Sequence, residues 1–492
     1  MRSRKRRVAL WIVIAAALGL AAWAVWRLAP HAPIYLKNLE LRVQVAPLDL
    51  SSLGRRLLIV APHPDDEVLG PGGLIQQALE GEAEVWVALM TNGDGFQHER
   101  TRLWMEDVIL GTGIEHQKLG RARQHETWQA MALCGVEKDH VIFLGYPDGG
   151  INVMWQPPNW SADQPWWSPR TRCDHSPYAN SYVPGRPHAG AAVLSDMVRL
   201  IDEIRPTAVL TTPPFDVQRD HWATYDVVKA ALMQTEDRGG QAVPLYTFLI
   251  HRHDWPAPQG YHPTHVLEPP AAWTKIVGVE WRRLDLTPDQ VELKHRCLGA
   301  YRSQDAAHVG ELLSFIRQNE LFATIADAEA TDGAVTIPDP IGDLPPDRVT
   351  PAEDIGAVEL ARDERGYRFS LRLAHAPEPK VWYAVVWHNV GAETVTAGSV
   401  VWHGNKAQLL ESGPHGGLRT SAIPATVDPD GLSFHLSADR LPGPRLLLEA
   451  YSRRGKPYID HTLTLAIRLV GPEGAPHAVE RGALRATLGG GV

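Results

Sequence analysis

Residues Leu57 to Gly73 read LLIVAPHPDDEVLGPGG, an apolar run that stops at a histidine and passes at once into Asp65, Asp66 and Glu67. Three consecutive carboxylates repel one another, and burial sharpens that repulsion unless a cation sits among them. The apolar half reads as a strand covered on both faces, the kind found in parallel sheets. Similar runs follow at EVWVALMT (Glu84–Thr91), HVIFLGY (His140–Tyr146) and TAVLTTP (Thr207–Pro213). Helical stretches lie between them: GGLIQQALE, ARQHETWQAMALCGV and AAVLSDMVRLIDEI, the last with Val193, Met197, Leu200 and Ile204 at helical spacing. This alternation predicts an α/β domain, a doubly wound and mostly parallel Rossmann-like sheet, over residues 55–330. Ligands of such sheets gather beyond the C-terminal ends of the strands, where APHPDDE begins.

The chain has 492 residues, too many for one core. A Pro- and Trp-rich insertion (150–187) with four Trp and two Tyr reads as a lid or wall over the site. Residues 331–354, rich in Pro and Asp, read as a linker. Short alternating runs over 355–470 (YRFSLRLA, VWYAVVWH, LSFHLSA, PRLLLEAYS) predict a C-terminal β-sandwich, followed by a tail at 471–492. Trp382, Trp387 and Trp402 of that region are assigned to its core; sugar binding and a spacer role are the other readings of the sandwich. A net charge of −9 argues against nucleic acid as a partner. Seventeen Trp suit either sugar faces or cores.

At the N-terminus, five Lys/Arg in the first seven residues precede nineteen uncharged residues, Val8–Trp26. That length spans roughly 28 Å as a helix, close to a bilayer's hydrocarbon core. Residues 1–30 are therefore expected to be an uncleaved transmembrane anchor, with the N-terminus cytoplasmic and residues 31–54 leading to an extracytoplasmic enzyme. Secretion after cleavage near Ala22-Trp23-Ala24 is the alternative. Cys134, Cys173 and Cys297 show no metal-binding spacing and allow one disulfide outside the cytoplasm.

His63 and Asp66 offer nitrogen and oxygen donors for zinc or a similar divalent ion. A third ligand is expected from another strand's end, and TTPPFDVQRDHWAT (Thr211–Thr224) supplies Asp216, Asp220 and His221. Asp65, left without a ligand role, is placed to act as general base toward water. Asp220 is read as orienting an imidazole through its free nitrogen. Glu67 is read as capping the helix near Pro71–Gly73, and the same capping role is the alternative for Asp65.

APHPDDE resembles the hallmark of the PIG-L/LmbE-type metal-dependent N-acetylglucosaminyl deacetylases. The resemblance continues through TNGDG (Thr91–Gly95), RQHE (Arg123–Glu126), FLGYPDGG (Phe143–Gly150), DVQRDHWAT and AYRSQ (Ala300–Gln304). It implies zinc held by His63, Asp66 and His221, Asp65 as base, and removal of acetyl from an N-acetylated amino sugar or a related amide. It also makes Arg123, Asn92 and Asp94 candidates for holding the substrate, while Asp148 in its Pro-Asp-Gly-Gly turn reads as structural. One departure stands out. Gln218 occupies the place where the family's Asp-x-His-x-Asp-His motif has its first histidine. A glutamine can donate a hydrogen bond to an oxyanion but cannot transfer a proton. The leading expectation is thus a zinc hydrolase acting on an envelope or exported glycan. The alternatives are a non-catalytic or weakly active carbohydrate-binding relative and a hydrolase of another amide or ester.

Overall fold

The computed structural model describes residues 45–95, 113–252, 255–274, 276–304, 310–330, 334–342, 350–413, 415–455 and 460–469. The strands of the first sheet are β1 (Ala46–Pro47), β2 (Arg56–Ala61), β3 (Glu84–Thr91), β4 (Val141–Tyr146), β5 (Ala208–Thr211), β6 (Leu245–Thr247), β7 (Val279–Asp285) and β8 (Asn319–Ile325). Their spatial order is β1-β7-β8-β6-β5-β2-β3-β4. The five strands from β4 through β3, β2 and β5 to β6 run parallel. β8 pairs antiparallel with both β6 and β7.

β2, β3 and β5 carry almost unbroken apolar runs because helices cover both faces of the sheet. The chain winds outward from β2 to β4, returns through the helix Gly190–Ile204 and enters β5 on the other flank of β2. The switch in winding therefore falls between β2 and β5. Connections there leave in opposite directions and open a crevice above the strand ends. The antiparallel β7 and β8 were not legible as a separate feature, because β7 alternates buried and exposed residues on a sheet edge.

Downstream, β9 (Ala328–Ala330), β10 (Val335–Pro338), β11 (Ile355–Asp363), β12 (Gly366–Leu373), β13 (Trp382–Val390), β14 (Val395–His403) and β15 (Lys406–Ser412) are followed by β16 (Arg419–Ile423), β17 (Ala425–Asp428), β18 (Gly431–Leu436), β19 (Arg445–Arg453), β20 (Asp460–His461) and β21 (Leu465–Leu469). They form one sheet in the order β10-β11-β12-β18-β17 and a second in the order β16-β15-β14-β13-β19-β21-β9, with β20 against β19. Residues 331–354 were expected to be a linker, but β10 lies inside that span and pairs with β11. Its alternation of buried Val335 and Ile337 with Thr336 is too short to stand out amid the surrounding prolines. Trp387 and Trp402 are buried, as read from the sequence, whereas Trp382 is 38% exposed and stacks on His403.

The second sheet packs on the helix Arg219–Asp237. Arg445 bonds Glu236 and Asp237 at 2.7 and 2.9 Å, and the Trp222 ring stacks on His461 at 4.1 Å. The Trp-rich insertion contributes to the same seam. Trp155 and Trp160 are fully buried around His388 of β13, whose Nε2 lies 2.9 Å from the Trp155 carbonyl oxygen. These two tryptophans join the two parts of the molecule and do not line the site, so the lid reading fails for them. The anchor expected at Val8–Trp26 lies outside the described residues, among which no helix is long and apolar enough to cross a membrane.

Burial lowers the His388 pKa to about 3, so the folded protein keeps this imidazole neutral. The unfolded chain takes up the proton near pH 6.5. Its stability contribution is therefore whole above about pH 6.5 and declines toward pH 3, by about 1.4 kcal/mol per pH unit. His388→Phe keeps an aromatic ring at this position but removes the titration. Urea unfolding between about pH 6.5 and 5 should show a flatter profile for this variant by that slope. Parallel profiles would refute the assignment.

Candidate active site

The β2 strand ends at Ala61, and the next residues turn sharply to deliver three polar side chains into the crevice. Asp65 adopts φ 119°, a region L residues rarely occupy. Two contacts hold it there. The Asp65 N–H donates to Glu67 Oε2 at 2.9 Å, and Glu67 Oε1 accepts from the Tyr301 hydroxyl. Glu67 thus braces the Asp65 turn and does not cap the helix that follows Pro71, whose Gly73 and Leu74 N–H groups go to Glu320 instead. The turn's Pro64 carbonyl accepts from Arg123 Nη2 at 2.6 Å and Gln304 Nε2 at 2.9 Å. Behind it, Lys294 Nζ donates to the Leu69 carbonyl and to Glu320, whose carboxylate takes the Gly73 and Leu74 N–H groups. Tyr301 and Gln304 belong to the AYRSQ stretch, whose role was not legible from spacing alone; they lock the turn.

After β5, the segment through Asp216 and Gln218 leads into the helix that starts at Arg219. Gln218 is its N-cap: Oε1 accepts from Asp220 N at 2.5 Å and His221 N at 3.3 Å. This first helical turn brings His221 beside the β2 turn. His63 Nδ1, His221 Nε2 and Asp66 Oδ2 form a nearly equilateral triangle with separations of 3.2, 3.2 and 3.3 Å. Donors bound at about 2.0–2.1 Å to a tetrahedral ion stand roughly 3.3–3.4 Å apart, so the donor set and its spacing both fit zinc or a similar divalent cation. The electrostatics agree. Burial pulls the His221 pKa down, but Asp216 and Asp66 outweigh it and hold the group at about 9. Burial works against ionised Asp66 as well, yet the two imidazoles keep its carboxyl well below the usual range. The pocket demands positive charge at this point.

Both histidines of the triangle are oriented through their other nitrogen. His221 Nδ1 lies 3.1 Å from Asp216 Oδ2, which also takes the Ile250 and His251 N–H groups. His63 Nε2 faces Asp220 Oδ2 at 3.4 Å and Asp148 Oδ1 at 3.7 Å. A second trio of potential ligands, His63, Asp148 and Asp220, is thereby formed. Its carboxylates are already engaged: Asp220 accepts from the backbone of Gly149 and Ile151, and Asp148 pairs with Arg170 at 3.1 Å.

A cavity of about 660 Å³ opens over these groups, lined by His63, Asp65, Asp66, Arg123, Asp148, Arg170, Gln218, Arg219, Asp220, His251 and Glu311 among others. Asp65 faces it, with its carboxyl pushed well above the usual range by burial and by the Asp66 charge. Arg123 lines the wall while its guanidinium bonds the Gly93 and Pro64 carbonyls. The Gln218 Nε2 lies 3.4 Å from His63 Nε2, on the cavity side. Asn92 and Asp94 do not line the cavity. Both are fully buried, and Asp94 takes the Tyr178 hydroxyl and the Asp148 N–H, which makes it an anchor for the insertion. Asn92 and Asp94 are thus structural supports, a correction to their reading as substrate contacts, whereas Gly95 of the same stretch lines the cavity. Arg170 comes from the insertion read as a wall of the site and does line the cavity, whereas His251 had no sequence signal and reaches the site only through the fold.

Residues 58–232 match the family described as "PIG-L: GlcNAc-PI de-N-acetylase". Two curated relatives carry the name 1D-myo-inositol 2-acetamido-2-deoxy-alpha-D-glucopyranoside deacetylase. The one from a Mycobacterium species is 29% identical over 213 residues, covering 41% of this chain and 56% of the relative. The one from Kineococcus radiotolerans is 29% identical over 218 residues, covering 41% and 54%. The chain thus spans about half the length of these relatives. Among solved structures, N,N'-diacetylchitobiose deacetylase from Pyrococcus horikoshii superposes with a TM-score of 0.32 at 18% identity, over 53% of this chain and 76% of that one. Residues 58–232, which hold the β2 turn and the helix bearing His221, are a PIG-L family domain.

Proposed function

We propose that this chain hydrolyses the acetamide of an N-acetylated amino sugar, with zinc or another divalent ion held by His63, Asp66 and His221. The observation that carries the reading is the 3.2–3.3 Å triangle of donors at the switch point, beside a carboxylate held in a strained backbone. The family match and the names of the relatives, deacetylases of a 2-acetamido-2-deoxyglucopyranoside, support the substrate class. A bound divalent ion would supply Lewis-acid polarisation of the amide carbonyl and a more acidic water.

The remaining chemistry falls to the chain. Asp65 faces the cavity, and its raised pKa suits it to take a proton from water as attack begins and to return it to the departing nitrogen. Water adds to the carbonyl carbon, the C–N bond breaks, and acetate and a free amine result. Gln218 has spent its oxygen on the helix N-terminus, leaving only its NH2 to donate toward the developing oxyanion. Asp216 and Asp220 keep the imidazoles in register. With no second titrating group at position 218, Asp65 carries both proton transfers.

Asp65→Asn should lower acetate release from N-acetylglucosamine oligomers and glycosides by roughly 10²–10⁴-fold while leaving bound metal unchanged. Equal rates would remove Asp65 from the chemistry. A wild type that releases no acetate would favour the non-catalytic carbohydrate-binding reading, and faster turnover of O-acetyl esters would redirect the substrate class. His221→Ala should reduce bound metal from about one ion per chain to a small fraction, read by elemental analysis on protein with an unchanged circular dichroism spectrum. Full metal content in that variant would refute the ligand set.

The basic N-terminus and the apolar span Val8–Trp26 support placement on the outer side of a membrane, where an envelope or exported glycan is the substrate. The full chain should stay with the membrane pellet after alkaline carbonate extraction. Release into the supernatant at full length would rule out the anchor, and release as a chain shortened near Ala24 would favour secretion.

A further inference from the structure

Two thiols lie outside the proposed chemistry and next to each other. Cys134 is the last residue of the helix Ile114–Cys134, and Cys297 sits in the helix Pro288–Leu298 that packs against it. Both are buried, and their Sγ atoms approach to 2.7 Å. The Cys297 thiol beside it, burial, and the charges of Glu67 and Glu320 hold the Cys134 thiol well above its ordinary pKa. A thiol so placed makes a poor nucleophile. Neither sulfur belongs to a potential metal-binding group among the described residues.

We propose that Cys134 and Cys297 are joined by a disulfide that clamps together the two helices bracing the catalytic turn. The oxidant is a disulfide donor. One cysteine thiolate attacks a donor sulfur and forms a mixed disulfide, and the second cysteine displaces the donor. The pair loses two electrons and two protons, and the donor leaves as two thiols, one at each exchange step. Because both sulfurs are buried in the finished fold, exchange takes place before the helices close.

What the bond holds together is the scaffold of the site. The first helix carries Arg123, bonded to the Pro64 and Gly93 carbonyls, and Glu126, which takes the Ser303 N–H and hydroxyl. The second carries Lys294, bonded to the Leu69 carbonyl and to Glu320. A crosslink at this point fixes the two helices that grip the two ends of residues 64–70. It also closes a long loop in the unfolded chain, which raises stability. Disulfides persist outside the cytoplasm, in keeping with the exported placement proposed above, although the clamp does not depend on it.

The full chain carrying Cys173→Ser isolates the pair, since only these three cysteines exist. After refolding from guanidinium in oxidised glutathione and a second unfolding in guanidinium with N-ethylmaleimide, mass spectrometry should find no adduct and a chain two hydrogens lighter than its reduced form. Phosphine reduction of the unfolded chain before the maleimide should give two adducts. Two maleimide adducts, or bound glutathione, on the oxidised sample would overturn the bond. The oxidised protein should also melt roughly 5 °C above its reduced form. Equal melting temperatures would overturn the clamp.

Discussion

Two imidazoles and a carboxylate held within 3.3 Å of one another in a buried wall set the terms for the rest of this structure. Such a group is costly unless a cation compensates it and unless each side chain is fixed by a partner behind it. The protein supplies the partners in layers. Asp216 and Asp220 face the histidines, backbone N–H groups satisfy those carboxylates, and Arg170 neutralises Asp148. Further back, Glu67, Tyr301, Gln304 and Arg123 hold the turn in a conformation that Asp65 would not adopt alone.

The position of this group follows from sheet topology. β2 and β5 are neighbours although the chain between them passes through two further strands and the Trp-rich insertion. Their C-terminal ends therefore present loops some 150 residues apart in sequence to one crevice. The C-terminal β-rich region bears on the helix that begins at the His221 turn, through Arg445 and the His461–Trp222 stack. It packs on the α/β part along a built seam and is not a loosely tethered appendage. Trp155 and Trp160, the most conspicuous feature of the insertion, serve that seam through His388.

Gln218 illustrates how a substitution in a motif can keep one task and lose another. As an N-cap its amide oxygen satisfies the Asp220 N–H and supports the His221 N–H, which also reaches the Gln218 carbonyl, so the helix bearing His221 starts correctly. What it cannot do is exchange a proton. In the proposed hydrolysis that task passes to Asp65, whose carboxyl burial raises above its usual range.

Much of the site was legible in the sequence because its chemistry is local. The carboxylate run after an apolar strand, the His-x-x-Asp spacing and the Asp-His pair after another strand follow from residue type and order, as does the parallel sheet from its consecutive apolar runs. The residues that only the tertiary structure revealed act at long range. Arg170 and His251 reach the cavity from segments without periodicity, Asp94 turned inward to anchor Tyr178, and β10 became a strand because β11 was there to pair with it. A side chain's identity fixes what it can bond, but burial and partners decide which bond it makes, and those are properties of the folded chain.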